Sequence, residues 1–248
     1  MNQPAWQVAG LTDKGHKREE NQDNFLISDD NHLAVVADGM GGVKGGALAS
    51  QLVVRSLEES WKEDKPDLST PDCVATWIET AVARANKAVI EAAQASNENK
   101  SMGTTVVVAI LDEQKNLHIA HVGDSRATLV RTEGGKRLTN DHSVVMEMHL
   151  RGQMTIEQCA QSPFKHLITR CLGHDTEVQA DYQRMDVMPG DHIILASDGL
   201  SDVVSESEIQ DIAGAKECPQ EVCDILLETV LSRRAPDNVT IVTLTIKN

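Results

Sequence analysis

Three apolar runs in this 248-residue chain deliver an aspartate: residues 33–38 end on Asp38, followed by Gly39, residues 118–124 on Asp124, and residues 193–198 on Asp198, followed by Gly199. Asp23 and Asp237 stand near the chain ends as further candidates. Hard divalent cations take oxygen ligands, and Mg²⁺ keeps several waters, so a few aspartates and one backbone carbonyl are enough for a site. Gly39 fits that chemistry, because a glycine beside an aspartate lets its carbonyl turn toward a cation without a side-chain clash. Each residue also has a plainer reading. Asp-Gly after a strand makes a hairpin turn, Pro236-Asp237-Asn238 is a good turn in itself, and Asp23 can cap local backbone. The residues alone leave both readings open.

Other catalytic solutions lack their signatures. The chain has no GxSxG elbow and no HExxH, and no cysteine precedes an arginine by six positions, so serine hydrolases, zincins and cysteinyl phosphatases are set aside. Residues 40–46 are glycine-rich, but Lys44 is followed by Gly45 and not by Ser or Thr, which excludes a P-loop. His118 and His121, three apart on an expected strand, point to opposite faces and read as packing or surface residues.

The elements that must position these aspartates read as strands by β-branched content and bounding turns: residues 6–11, 24–28, 33–37, 104–111, 117–122, 127–131, 178–187, 192–196 and 239–246. Short connections such as 112–116 favour antiparallel hairpins. Ala49, Val53, Leu57 and Trp61 recur at helical spacing, and Trp77, Ile78, Ala81, Val82, Ala85 and Val89 form a wider stripe, which places two helices after the third strand. Runs of strands and runs of helices indicate an α+β fold. Residues 143–174 read as short helices forming a flap, with Thr155 to Gln158 resembling a capping box.

The formal charge of −15 repels nucleic acid and anionic membranes. A phosphorylated substrate is repelled as well, unless bound cations reverse the sign locally. Five cysteines without a CxxC pair fit reduced thiols in a cytoplasmic protein. The N-terminal stretch lacks a signal-peptide pattern, and the longest uncharged apolar run, residues 103–111, is too short to span a membrane.

The ordered set GLTDKGHKREENQDN, VVADGMGGVKGG, MGTTVVVA, HVGDSRA, TNDHS, RCLG, PGDHIILASDGLSD and PDNVTIV resembles the metal-dependent PP2C-type protein phosphatases in their short bacterial single-domain form, over essentially the whole chain. The resemblance implies a β-sandwich of two antiparallel sheets flanked by helix pairs, in α-β-β-α layers with a small flap, and one catalytic domain over residues 1–248. It implies hydrolysis of phosphoserine and phosphothreonine in proteins, with phosphotyrosine left open, by a water that bridges Mg²⁺ or Mn²⁺ ions and is acidified by them. Two tight ions and a weaker third are expected. Asp38 then bridges, Gly39 offers its carbonyl, Asp198 and Asp237 complete the inner pair, Asp23 ligates directly or through water, and Asp124 holds the third ion with Asp198. Arg18, three residues before Asn21, corresponds to the arginine that binds substrate phosphate, and His166 and Arg170 in the flap are candidates to touch substrate. The implied partners are phosphorylated proteins and the implied state is a monomer.

The chain departs from the family pattern where many members carry a histidine thought to protonate the leaving group, since it has Val43 followed by Lys44. A phosphoprotein-binding chain without turnover, and a hydrolase of small phosphate esters, remain as rival readings.

Overall fold

Valine, isoleucine, leucine and alanine carry this core, and their pattern dictates a layered structure. The computed structural model describes residues 6–96 and 101–247, and the side chains of residues 42–44, Val43 and Lys44 among them, lie outside the description. In chain order the elements are β1 (Trp6–Asp13), β2 (Asp23–Ile27), β3 (Leu33–Met40), α1 (Gly42–Asp64), α2 (Pro71–Ala95), β4 (Gly103–Thr104), β5 (Val106–Leu111), β6 (Asn116–Val122), β7 (Arg126–Arg131) and β8 (Gly134–Arg137). There follow α3 (Val144–Leu150), α4 (Ile156–Gln161), β9 (Asp181–Asp186), β10 (His192–Ala196), α5 (Asp198–Ser201), α6 (Glu206–Gly214), α7 (Pro219–Ser232) and β11 (Val239–Ile246).

The strands form two antiparallel sheets, one in the order β1-β11-β10-β7-β8 and the other β2-β3-β5-β6-β9, with β4 paired to β3. β5 is apolar at every position because both of its faces are covered, which turns the usual alternation into a continuous run. Val107 and Ala109 face the other sheet and pack with Val36, Ile119, Leu195 and Leu244. Val108 and Ile110 face α1 and α2, where Leu57, Trp61, Trp77 and Ile78 meet them. The five-stranded sheet turns Ile194 and Ile241 toward Val222, Leu226 and Val230 of α7. The expected α-β-β-α layering follows from these three apolar cores.

Local signals fix the helix ends. Pro71 and Pro219 open α2 and α7 at a position where a missing N–H costs nothing. Capping boxes start α4 at Thr155 and Gln158, as read from sequence, and α6 at Ser205 and Glu208.

Three sequence expectations need correction. Asp38 does not end its strand: β3 runs on through Gly39 to Met40, because Gly39 and Met40 pair with Thr104 and Gly103. The single strand expected over 104–111 is broken at Thr105, whose N–H donates to the Asp38 carbonyl (2.8 Å) while its Oγ1 accepts the Asp38 N–H (3.0 Å). The strand expected over 178–187 is confined to β9, where pairing with β6 begins at Asp181.

Candidate active site

One end of the sandwich is where the aspartates arrive. Asp38 sits on β3 directly across from Asp23 on β2. Asp198 opens α5 just beyond β10, and Asp237 precedes β11, the strand paired with β10. Asp124 lies in the β6–β7 turn. Sequence-distant strand ends thus meet because their strands are neighbours. Asp38, Gly39, Asp124, Asp198, Asp237, Arg18 and His166 line one cleft of about 700 Å³.

Asp23 lies beneath the cleft, 4% exposed, where Ser197 Oγ donates to its Oδ2 (2.7 Å) and its Oδ1 has no partner. A buried carboxylate oxygen without a donor costs free energy that a cation or ordered water would recover. Loss of solvation, opposed by bonds from Ser197 and Thr240, pushes Asp23 up to about 6. The same loss of solvation, followed by the negative charges of Asp23, Asp198, Asp124 and Asp237, holds Asp38 well above the ordinary carboxylate range. Asp198 is pushed up to about 8 by desolvation and then by Asp124, Asp202, Asp237 and Asp23. Asp124 rises to about 6 by desolvation and then by Asp141. Desolvation together with neighbouring carboxylates is an environment in which a bound cation would be stabilised.

Gly39 shows why no larger residue stands there, since a Cβ would run into the Gly46 carbonyl and approach the Gln22 carbonyl at 2.7 Å. The donor set of carboxylates and a backbone carbonyl in an open cleft fits Mg²⁺ or Mn²⁺, which prefer oxygen.

The structure also places the substrate candidates. Arg18 Nη2 donates to Asp237 Oδ2 at 2.6 Å and stays more than half exposed at the cleft mouth. His166 enters from the flap, with Nδ1 3.9 Å from Asp198 Oδ2 and 3.6 Å from Asp202 Oδ2. Arg170 is not among the cleft-lining residues. Its Nη1 instead donates to Asp181 Oδ1 (2.7 Å) and the Gln179 carbonyl (3.1 Å).

Sequence reasoning missed the residues that hold these groups in place. Asn238 Oδ1 accepts the Gln22 N–H (2.8 Å), and its Nδ2 donates to the Lys14 and Glu20 carbonyls (2.9 Å each), which pins the Arg18 loop to β11. Thr105 Oγ1 also meets Ser125 Oγ (2.6 Å), tying β3 to the Asp124 turn. Asp202 accepts from Lys165 Nζ (2.9 Å) and anchors the flap beside Asp198. The sequence signal for Asn238 and Asp202 is that Asn238 directly follows Asp237 and Asp202 stands four residues after Asp198, inside the quoted motifs.

Comparison with known proteins places this geometry. The family model described as "Protein phosphatase 2C" matches residues 12–229. The serine/threonine phosphatase stp of Listeria innocua is 35% identical over 233 residues, covering 93% of this chain and 92% of that protein. Protein phosphatase PhpP of Streptococcus pneumoniae is 34% identical over 239 residues, 95% of each chain. Among solved structures, the S. agalactiae serine/threonine phosphatase superposes with a TM-score of 0.90 at 30% identity, covering 98% of this chain and 100% of that one. The catalytic domain of the serine/threonine protein phosphatase PstP, solved in complex with 2 manganese ions, superposes with a TM-score of 0.82 at 30% identity, covering 98% of this chain and 99% of that one. The chain belongs to the protein phosphatase 2C family of metal-dependent serine/threonine protein phosphatases.

Proposed function

We propose that this serine/threonine protein phosphatase holds Mg²⁺ or Mn²⁺ on Asp38, the Gly39 carbonyl, Asp198 and Asp237, with Asp23 beneath them, and a weaker third ion on Asp124 and Asp198. The observation that carries the reading is the convergence of Asp38, Asp124, Asp198 and Asp237 on one cleft above the unpartnered Oδ1 of buried Asp23, an oxygen donor set of the kind divalent cations take. Divalent cations held there supply a positive field for the phosphate and lower the pKa of water.

The chain's own residues do the rest. Arg18 presents a planar guanidinium whose remaining N–H groups bind phosphate oxygens, while Asp237 and the Asn238 clamp keep it aimed. Asp23, accepting from Ser197, steadies Asp38 across the β2–β3 pair. His166 meets the substrate from the flap over residues 143–174. A neutral or basic protein segment approaches an otherwise repulsive surface of charge −15 through this one locally reversed patch. The same reading has the chain acting as a single-domain cytoplasmic monomer in phosphoprotein signalling. In its support, no helix among the described residues is long and apolar enough to cross a membrane, and all five cysteines are free.

Hydrolysis of a phosphoserine peptide should stop in EDTA and return with Mn²⁺ or Mg²⁺. Asp38→Ala should lower kcat/KM by more than about 10³-fold, beyond what loss of a single oxyanion donor costs. Full activity in chelator contradicts the reading.

A further inference from the structure

Outside the cleft, a pair of buried histidines beside an exposed aspartate joins the Asp124 turn to the flap. His121 and His142 are each 4% exposed and stack at a centroid distance of 4.5 Å, with ring planes 21° apart. His142 Nε2 lies 3.4 Å from Asp181 Oδ2, and Asp181 is bound by Arg170. Two histidines and a carboxylate at this separation invite assignment as a transition-metal site.

Hydrogen bonding argues against that assignment. The Gly123 N–H donates to His142 Nδ1 at 3.0 Å, so Nδ1 must be the bare nitrogen. The ring proton then sits on Nε2, and an N–H cannot ligate a cation. That Nε2 faces the Asp181 carboxylate at 3.4 Å without closing a hydrogen bond, while burial lowers the pKa of the imidazole and favours its neutral form.

What His142 does hold is the turn. Its backbone N–H donates to the Gly123 carbonyl (3.0 Å) as its ring accepts the Gly123 N–H, so one residue grips both polar groups of Gly123. Gly123 adopts φ +105°, and a Cβ there would meet Thr105 at 2.6 Å, so the turn is tight and strained for any other residue. Asp124 is the next residue. On its other side, the His142 carbonyl accepts the Thr169 N–H (2.7 Å), and Ser143 bridges Ile168, both on the outgoing leg of the flap. Arg170 of the flap bonds Asp181 at the start of β9, whose carboxylate lies beside the ring.

We infer that His142 is a positioning residue that locks the Asp124 turn to the outgoing leg of the flap, its ring and backbone N–H gripping Gly123 while its carbonyl holds Thr169. The inference rests on the reading of Asp124 as a ligand of the weakest ion. It also places Arg170, which holds Asp181 beside the His142 ring.

Two conservative variants separate the ring's two nitrogens. In His142→Asn the side-chain oxygen falls near the place of Nδ1 and can still accept from Gly123. In His142→Gln the amide reaches toward Asp181 and leaves the Gly123 N–H unpaired. Mn²⁺ binding is counted by calorimetry in both variants, in the wild type and in Asp124→Ala, and exchange of the Gly123 amide is followed by NMR in the metal-free proteins. His142→Gln should weaken the weakest Mn²⁺ site by about 10–100-fold, the range typical of residues that orient a ligand. It should also release Gly123 amide protection and lower kcat with KM nearly unchanged. His142→Asn should restore the protection and bring the weakest site back to within about 3-fold of wild type, well inside that range.

If Asp124→Ala loses an ion but His142→Gln keeps wild-type affinity, the positioning role is overturned and the Asp124 reading stands. Equal losses in both His142 variants overturn it as well, because the acceptor nitrogen would then be irrelevant. If Asp124→Ala keeps every ion, the reading of Asp124 fails first and takes this inference with it. Should His142→Gln not fold, His142→Ala carries the test: it removes the acceptor from the Gly123 N–H, and a weakest site within about 3-fold of wild type in that variant overturns the role.

Discussion

The five-stranded sheet has a hollow at each end, and the two differ in charge balance more than in size. At one end lies the aspartate cleft of about 700 Å³, and at the other a cavity of about 620 Å³ lined by Arg131, His192, Asp211, Lys216, Glu217 and Lys247. In the second, Arg131, Lys216 and Lys247 each have a partner within reach. Arg131 Nε bonds both Asp191 oxygens at 3.1 Å, Lys216 Nζ lies 3.3 Å from Glu221, Lys247 Nζ donates to the Glu217 carbonyl (2.9 Å), and His192 Nδ1 meets Thr245 Oγ1 (2.9 Å). In the first, carboxylates face one another and Arg18 is the arginine that lines the cleft among them. Volume alone therefore does not locate the chemistry. Uncompensated charge does, because it is what cations and phosphate can complete.

The comparison breaks most easily at Arg18. Arg18→Ala should cost about 1.5–3 kcal/mol of transition-state binding, the worth of charge-assisted hydrogen bonds, or roughly 10–150-fold in kcat/KM on a phosphoserine peptide. An unchanged kcat/KM would leave Arg18 as no more than the surface partner of Asp237. The smallest effect belongs to the other hollow. Lys216→Ala should change kcat/KM by less than about 2-fold, as surface substitutions away from special features do. A loss comparable to that of Arg18→Ala would erase the distinction between the two ends.

Much of this was legible in the residues. The stripes of α1 and α2 buried as their spacing required, and His118 and His121 went to opposite faces, His118 bonding Tyr182 and Asp112 while His121 stacks on His142. The helices α6 and α7 were passed over although their signals were present, a Ser205–Glu208 capping box and Pro219 at a helix start. β8 was not legible, because Gly134-Gly135-Lys136-Arg137 has no strand composition and is held extended by pairing with β7. For the site, spacing identified Asp38, Asp124 and Asp198 as strand-borne carboxylates, but their convergence depends on which strands pair, and spacing does not encode that. Arg170, expected at the substrate, is instead held by Asp181, a contact between residues whose separate motifs gave no hint of one another.

The central claim is that the cleft is destabilised by its own negative charge until cations fill it, and thermal unfolding of the EDTA-treated protein from pH 6.5 to 8 tests it most directly. At pH 6.5 the unfolded-state histidines are still about half protonated, so the buried His118, His121, His142 and His192, whose pKa values are lowered, add stability as pH rises until that contribution fades near pH 7.5, equally with and without Mn²⁺. Asp198, pushed up to about 8, and Asp38, held well above its ordinary range, are raised relative to the unfolded chain. A raised carboxyl contributes stability that is fully present below its unfolded pKa near 4 and is lost as pH climbs through the folded value. The metal-free protein should therefore lose stability once the histidine contribution has faded, from about pH 7.5 upward, on the order of 1–2 kcal/mol per pH unit. Saturating Mn²⁺ should raise Tm and flatten the slope, with the largest gain at pH 8. A metal-free protein whose Tm is level from pH 7.5 to 8 and unmoved by Mn²⁺ would contradict the account.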